Sequence, residues 1–525
     1  MQVRPPRASR RTLAGGVGAV TALAAAGSAA AAPERASYAP ARYRGGPKLL
    51  STQDRHLVSR FSYGVTPGLA AEVRRAGGGR AWFEAQLDPS SVPDAAADDL
   101  VAWWPSLQRG PWDLWKRQIH EVEGIWEVME AYQRWVLMRR LRSRRQVLEV
   151  MTELWENHFN VPVNGDAQGT WRKRYGDQIR SHALGRFEDL LQATTTHPAL
   201  LISLDNVSST AEHPNENLGR ELLELHTVGR GHYTEDDVKG SARILTGWTV
   251  DMWDTFAARY DKYEHYRGPV TVMDFHAANR SAEGQQVARD YLTYLAHHPA
   301  TARRVATKLA VKFVSDTPSD ALLSDLAEVY LTHDTQIRPV LRALVRSAEF
   351  RTSVGGKVRD PGEDLIASYR AFGLSPTKPP VGEAGGAYAA TVMVWQASSL
   401  GTAPFAWPRP DGQPITNEAW ATPSRVLASM SLHTDISGGW WPSKGVTYRT
   451  PAEWVPEFPI RFDMLVDHLS QQLLHRRSTA PLLEACCLAV DLPPDEKITR
   501  AHGLVKWNMV RLLTTFLDSP AFLTR

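Results

Sequence analysis

The chain has 525 residues, 43% of them hydrophobic and 22% charged, the proportions of an ordinary globular protein with room for a large core. Its 60 Lys and Arg against 57 Asp and Glu leave a formal charge of +3, too small at this length to argue for nucleic acid as a partner. The only cysteines, Cys486 and Cys487, are adjacent in an apolar stretch; they exclude a disulfide framework and read as two buried thiols.

At the N-terminus, Arg4, Arg7, Arg10 and Arg11 form a basic segment without an acid, and Ser9-Arg10-Arg11-Thr12-Leu13 has the form of a twin-arginine signal. The weakly apolar run that follows, of ~13 residues, is too short for a permanent membrane anchor. Residues 1–32 are therefore predicted to be a twin-arginine-type signal peptide, and the protein to be exported to the periplasm, cell wall or medium. Charges interrupt every later apolar run, so no transmembrane anchor is expected after cleavage. The export route carries folded proteins, which leaves the cofactor open, with a divalent metal allowed. Residues 33–50, rich in Pro, Arg, Gly and Ala, read as a flexible leader.

From Ser51 the pattern is helical. Helices are expected over 70–76, 79–87, 113–142, 144–159, 179–194, 215–228 and 234–245, then over 299–314, 320–332, 336–346, 360–372, 423–432, 461–474 and 500–517. Residues 269–273 are at best one edge strand, and 250–284 read as irregular. A Pro/Gly-rich stretch, 375–387, suggests a boundary between an N-terminal helical core, 51–374, and a C-terminal helical lobe, 375–525, packed on it. The Pro/Gly-rich loop 402–423, with Trp407 and Trp420, is expected to pack down. The fold class is all-α, a multi-helix globular protein with long Pro/Gly/Trp-rich loops and few or no strands. Of the 18 tryptophans, those at 103, 104, 112, 115, 440, 441 and 454 read as loop anchors, with sugar stacking the alternative.

Candidate chemistry concentrates in the stretch from His213 to Gly229. At ~100° per residue, Asn217, Arg220, Glu221 and Glu224 share one helix face, and Leu218, Leu222 and Leu225 another. Glu221 and Glu224 suit acid/base work or a shared ion, Arg220 an anion clamp; the plain alternative is Arg220 pairing with Glu224 on the surface. His226 falls ~140° from Glu221, so one ion could join them only if the helix is distorted. His158 lies on an apolar face with Met151 and Leu154, either as a satisfied core histidine or as a ligand or base, while Glu149, Glu153 and Asn157 lie opposite. The His197-Pro198 and His298-Pro299 steps read as helix caps. The candidate catalytic set is thus Glu221, Glu224, His226, His158 and Arg220; a metal would draw on His158, Asn217, Glu221 and His226.

These blocks resemble the bacterial domain-of-unknown-function 1800 family. The resemblance runs from Leu154-Trp-Glu-Asn-His-Phe159 through Asn215-Glu-Asn217, Glu224-Leu-His-Thr-Val-Gly229 and Leu245-Thr-Gly-Trp248 to Lys308-Leu309, Lys312-Phe-Val314 and Pro408-Arg-Pro-Asp-Gly412. It implies a mostly helical, secreted or envelope-associated protein without an assigned reaction. It also implies a partner, because genes of the family often neighbour a sulfatase-like family. In one place the chain departs from the pattern: Ala277 and Arg280 stand where relatives often carry Asp and Lys. The residues read together point to a hydrolytic, metal-assisted enzyme of the cell envelope, or else to a non-catalytic envelope binding or scaffold protein.

Overall fold

Polar side chains set many helix starts. Ser51 Oγ accepts the Asp54 N–H at 3.0 Å, and Thr234 with Asp237, like Asp360 with Glu363, form reciprocal caps. The two His-Pro steps are caps as well: Nδ1 of His197 accepts the Ala199 N–H at 3.2 Å, and Nδ1 of His298 accepts the Ala300 N–H at 3.1 Å. The computed structural model describes residues 38–380 and 388–525. The predicted signal, the first leader residues and part of the 375–387 connection lie outside the described residues.

Among the described residues the fold is all-α, with twenty-five α-helices and three two-stranded antiparallel sheets. Two sheets fall in or at the edge of the stretch read as irregular: Trp248–Val250 pairs with Ala258–Tyr260, and Val270–Val272, inside the predicted edge strand, pairs with Phe275–Ala277. Residues Pro40–Arg525 make one compact unit. Across the predicted boundary after residue 374, the Pro361–Phe372 helix packs against Ala389–Ser399 and Pro423–Gly438. No helix among the described residues is long and apolar enough to cross a membrane. Cys486 and Cys487 are free and buried.

Some expectations shift. The helix expected over 113–142 is two helices, Pro111–Ile119 and Ile125–Arg142. Glu121 adopts φ +53°, which no helix continues, and the second helix restarts at Gly124, whose N–H bonds Glu127 at 2.7 Å. The helix expected over 179–194 is likewise divided, into Asp166–His182 and Phe187–Thr195. The leader is not loose over its described part. Tyr43 donates its N–H to Asp467 at 2.9 Å and accepts from Arg477 at 2.7 Å, and the Leu50 N–H meets His475 Nε2 at 2.9 Å.

The polar side of the Gln146–His158 helix is interior. Glu149 receives Arg139 at 3.0 Å and Arg180 at 2.8 Å, and Glu153 receives Arg140 at 2.8 Å. Buried pairs of this kind add little net stability, but breaking one strands a charge.

Candidate functional site

The motif stretch begins as predicted and then changes pitch. Asn215 Oδ1 accepts the Asn217 N–H at 2.9 Å and starts the Glu216–Glu221 helix. Leu222–His226 then winds as a π-helix. This wider turn rotates the following side chains away from their places on a regular wheel. It closes where Thr227 Oγ1 donates to the Leu222 carbonyl at 2.6 Å and the Gly229 N–H donates to the Leu223 carbonyl at 2.8 Å. His226, at the end of this turn, is buried.

The Gln146–His158 helix delivers His158 to the same place, with the two imidazole centroids 5.9 Å apart. His158 Nε2 lies 3.0 Å from the His226 carbonyl, to which it can only donate. Its Nδ1 is therefore bare, and accepts from Lys308 Nζ at 3.0 Å. Burial, then the charge of Lys308, hold the His158 pKa well below the ordinary value. His226 is pushed down to about 3, by burial first and then by Arg304 and Lys308. No described residue bonds either of its ring nitrogens.

Lys308 belongs to the Pro299–Phe313 helix, which carries Arg303, Arg304, Lys308 and Lys312 and no acid. Burial, reinforced by Arg304 and opposed by Asp411, pushes Lys308 down to about 7. Its side chain keeps some accessible surface on a cavity wall while its amine end meets His158. One turn earlier, Arg304 donates Nε to the Leu225 carbonyl at 3.0 Å. A Cβ at position 229 would stand 2.9 Å from Arg304 Nη1, so the space, like the φ of +87°, calls for glycine there.

The cavity measures about 1080 Å³, ample for a small molecule or a short segment of a chain. Glu224, Arg230, Arg303, Arg304, Lys308 and Asp411 stand in its wall. Both acids have partners of their own. Glu224 accepts from Arg230 at 2.5 Å and from Tyr233 at 2.7 Å, and Asp411 bonds Arg409 at 3.0 Å and Trp407 Nε1 at 3.1 Å.

The loop carrying Asp411 is held by the end of the His158 helix and the residues just beyond it. Asn157 accepts the Gln413 N–H at 2.7 Å and donates to its carbonyl at 2.8 Å; Asn160 donates to the carbonyls of Trp407 and Arg409 at 3.0 and 2.8 Å. Gly412, at φ +72°, passes so close that a Cβ would lie 1.9 Å from the Asn157 carbonyl oxygen. A single sequence block thus supplies His158 and clamps the loop that brings Asp411 to the cavity.

Of the candidate residues, His158 and His226 meet at Lys308, and Glu224 reaches the cavity wall. Glu221 stands half-buried; burial, then Glu224 and Asp411, raise its pKa, whereas the Tyr233 hydroxyl and Arg230 lower that of Glu224. Arg220 is no anion clamp. Its Nη1 and Nη2 each bond Glu235 at 2.7 Å, with Glu216 at 3.3 Å, and it does not pair with Glu224. The metal set of His158, Asn217, Glu221 and His226 is not assembled. Among the described residues, the three-member His and carboxylate group whose ligand atoms lie within 4.8 Å of one another is Glu188, His297 and Asp334. There Arg186 already bonds Glu188 and, at 2.9 Å, Asp334. The π-turn does not bring His226 and Glu221 into one cluster with His158, and both nitrogens of His158 are engaged.

Sequence reading missed Lys308, Arg304 and Asp411 as site residues. The available signal was a helix with four cations and no acid, three of them one turn apart at 304, 308 and 312. No curated protein and no solved structure matches the chain. Residues 56–524 match the family described as "Protein of unknown function (DUF1800)", nearly the whole chain, and the chain therefore belongs to the DUF1800 family.

Proposed function

We propose that the cavity is the catalytic site of an exported hydrolytic enzyme in which Lys308 is the general base. The observation that carries this reading is the Lys308–His158 contact: an amine without a carboxylate partner, 3.0 Å from an imidazole nitrogen that can only accept. A lysine pushed down to about 7 is half neutral near pH 7. Donating one N–H to His158 leaves the lone pair of the neutral amine free to take a proton from water. His158 is a positioning residue, since it acts through Lys308. The Arg10-Arg11 segment supports export, and a sulfatase-like envelope protein is proposed as partner on the family resemblance alone.

The test is trace acetylation of the native protein across a pH series, with the extent at each lysine read by mass spectrometry. Half-maximal labelling of Lys308 near pH 7 is expected. A midpoint near the ordinary lysine value of 10.5 would remove the base.

A second reading, a non-catalytic protein binding an envelope protein or glycan, draws on Trp126, Trp253, Trp440 and Trp507, each more than half exposed. Pull-down from envelope extracts with these four tryptophans replaced by alanine would test it; unchanged capture would discard it.

A further inference from the structure

We infer that the cavity selects an anionic substrate, one carrying a carboxylate, phosphate or sulfate group whose oxygens meet the guanidinium of Arg304 while its reacting group lies at Lys308. This deepens the proposed function and rests on Lys308 being the reactive amine.

The charges on the cavity wall are unequally paired. Arg230 is bonded to Glu224 at 2.5 Å, and Arg303 to Asp320 at 2.5 Å. The wall's acids, Glu224 and Asp411, are bonded to Arg230 and to Arg409. Two cations are left over. Arg304 bonds only the Leu225 carbonyl, through Nε, and Lys308 bonds only His158; neither has a carboxylate in hydrogen-bonding range among the described residues. Both face one cavity, a single helical turn apart, so their head groups can address two ends of one small ligand.

Geometry favours Arg304 as the anion seat. Its Nε is anchored to main chain, which fixes the guanidinium plane and leaves the two Nη groups to form a planar fork. Gly229 supplies the clearance beside that fork, since even a methyl group at 229 would approach Nη1 to 2.9 Å. His226 adds an independent sign of incomplete bonding. It is 1% exposed, and both of its ring nitrogens lack a partner among the described residues. Repulsion between Arg304 and Lys308 is the electrostatic state that a bound anion relieves.

The experiment uses two aldehyde probes on the full-length protein. Pyridoxal 5′-phosphate and pyridoxal each condense with a neutral amine, losing water to form an imine that borohydride reduces to a stable secondary amine. Labelling of Lys308 is read by peptide mass spectrometry and normalised to the exposed Lys262. The phosphate probe is expected to label Lys308 about tenfold or more in preference to pyridoxal, the range of one charge-assisted contact. Arg304→Gln should bring the ratio near one. Arg304→Lys, which keeps the charge, should retain part of it. Inorganic phosphate should protect Lys308 against the phosphate probe.

Equal labelling by the two probes would overturn the anion inference and leave the reactive lysine standing. Preference undiminished in Arg304→Gln would remove Arg304 as the seat and overturn it too. Labelling of Lys308 by neither probe would overturn the proposed function, and this inference with it. The wild-type ratio decides the matter if Arg304→Gln does not fold.

Discussion

Lys308 and Lys312 sit one turn apart on the same helix, and their surroundings give them opposite characters. Lys312 is buried against Glu363 at 2.8 Å and Asp360 at 3.2 Å. Burial alone would lower its pKa, but the two carboxylates outweigh burial and raise it. Lys308 has comparable packing at its amine, a neutral histidine in place of the acids, and a cavity alongside; burial wins and the pKa falls to about 7. Within one helical turn, the presence or absence of a counter-charge separates a paired ammonium from an amine of lowered pKa.

The largest effect should come from breaking the structural member. Lys312→Met leaves Asp360 without its cation and Glu363 with Arg525 alone, at 2.8 Å, and should cost about 3 kcal/mol in chemical denaturation. Lys308→Met removes one hydrogen bond but also the burial penalty of the amine, and should cost no more than about 1 kcal/mol near pH 7. Equal losses in the two variants would dissolve the contrast. In catalysis the order reverses. Lys308→Met should lower the turnover of any ester, sulfate ester or glycoside the protein hydrolyses by about 10²–10⁴-fold, the range for loss of a general base. Full activity in that variant would leave the cavity without its base.

pH sharpens the same comparison. Lys308 has a folded pKa below its unfolded value, so between about 7 and 10.5 the unfolded chain binds the extra proton. Stability then rises with pH across that window. Lys312 has a folded pKa above its unfolded value of 10.5, so its contribution is present below 10.5 and lost as pH climbs through the folded value. Urea midpoints of wild type and Lys308→Met, measured at pH about 7 and about 10, should diverge in favour of wild type at the higher pH; a constant difference would contradict the depressed pKa. The smallest effect belongs to Arg220, a cation that is both paired and partly exposed. Arg220→Ala should change stability by no more than about 1 kcal/mol and leave hydrolysis intact, as thermal melts and rate assays would register.

Much of this protein was legible from local chemistry. Capping serines, threonines and aspartates announce helix starts, His-Pro steps behave as caps, and the dense motif blocks point to the family because each is short-range and specific. The candidate site was legible only in part. His158 and His226 were singled out because a polar ring in an apolar setting is conspicuous in sequence, and they do meet. Glu221, Asn217 and Arg220 were grouped with them because they lie in the same motif stretch, although the wheel itself sets His226 ~140° from Glu221. Five residues of π-helix follow that face, no local residue preference announces them, and which neighbours each side chain meets is a tertiary matter.

Sequence by itself determined the helical class, the caps, the family and the scarcity of counter-charges on the Pro299–Phe313 helix, all properties of neighbours along the chain. Tertiary structure alone decided which cation found an acid. Asp360 and Glu363 arrive at Lys312 from some fifty residues away, whereas Lys308 is met by a histidine and a cavity. A pKa depends on the dielectric and the charges within a few ångströms, and folding, not sequence adjacency, brings those together.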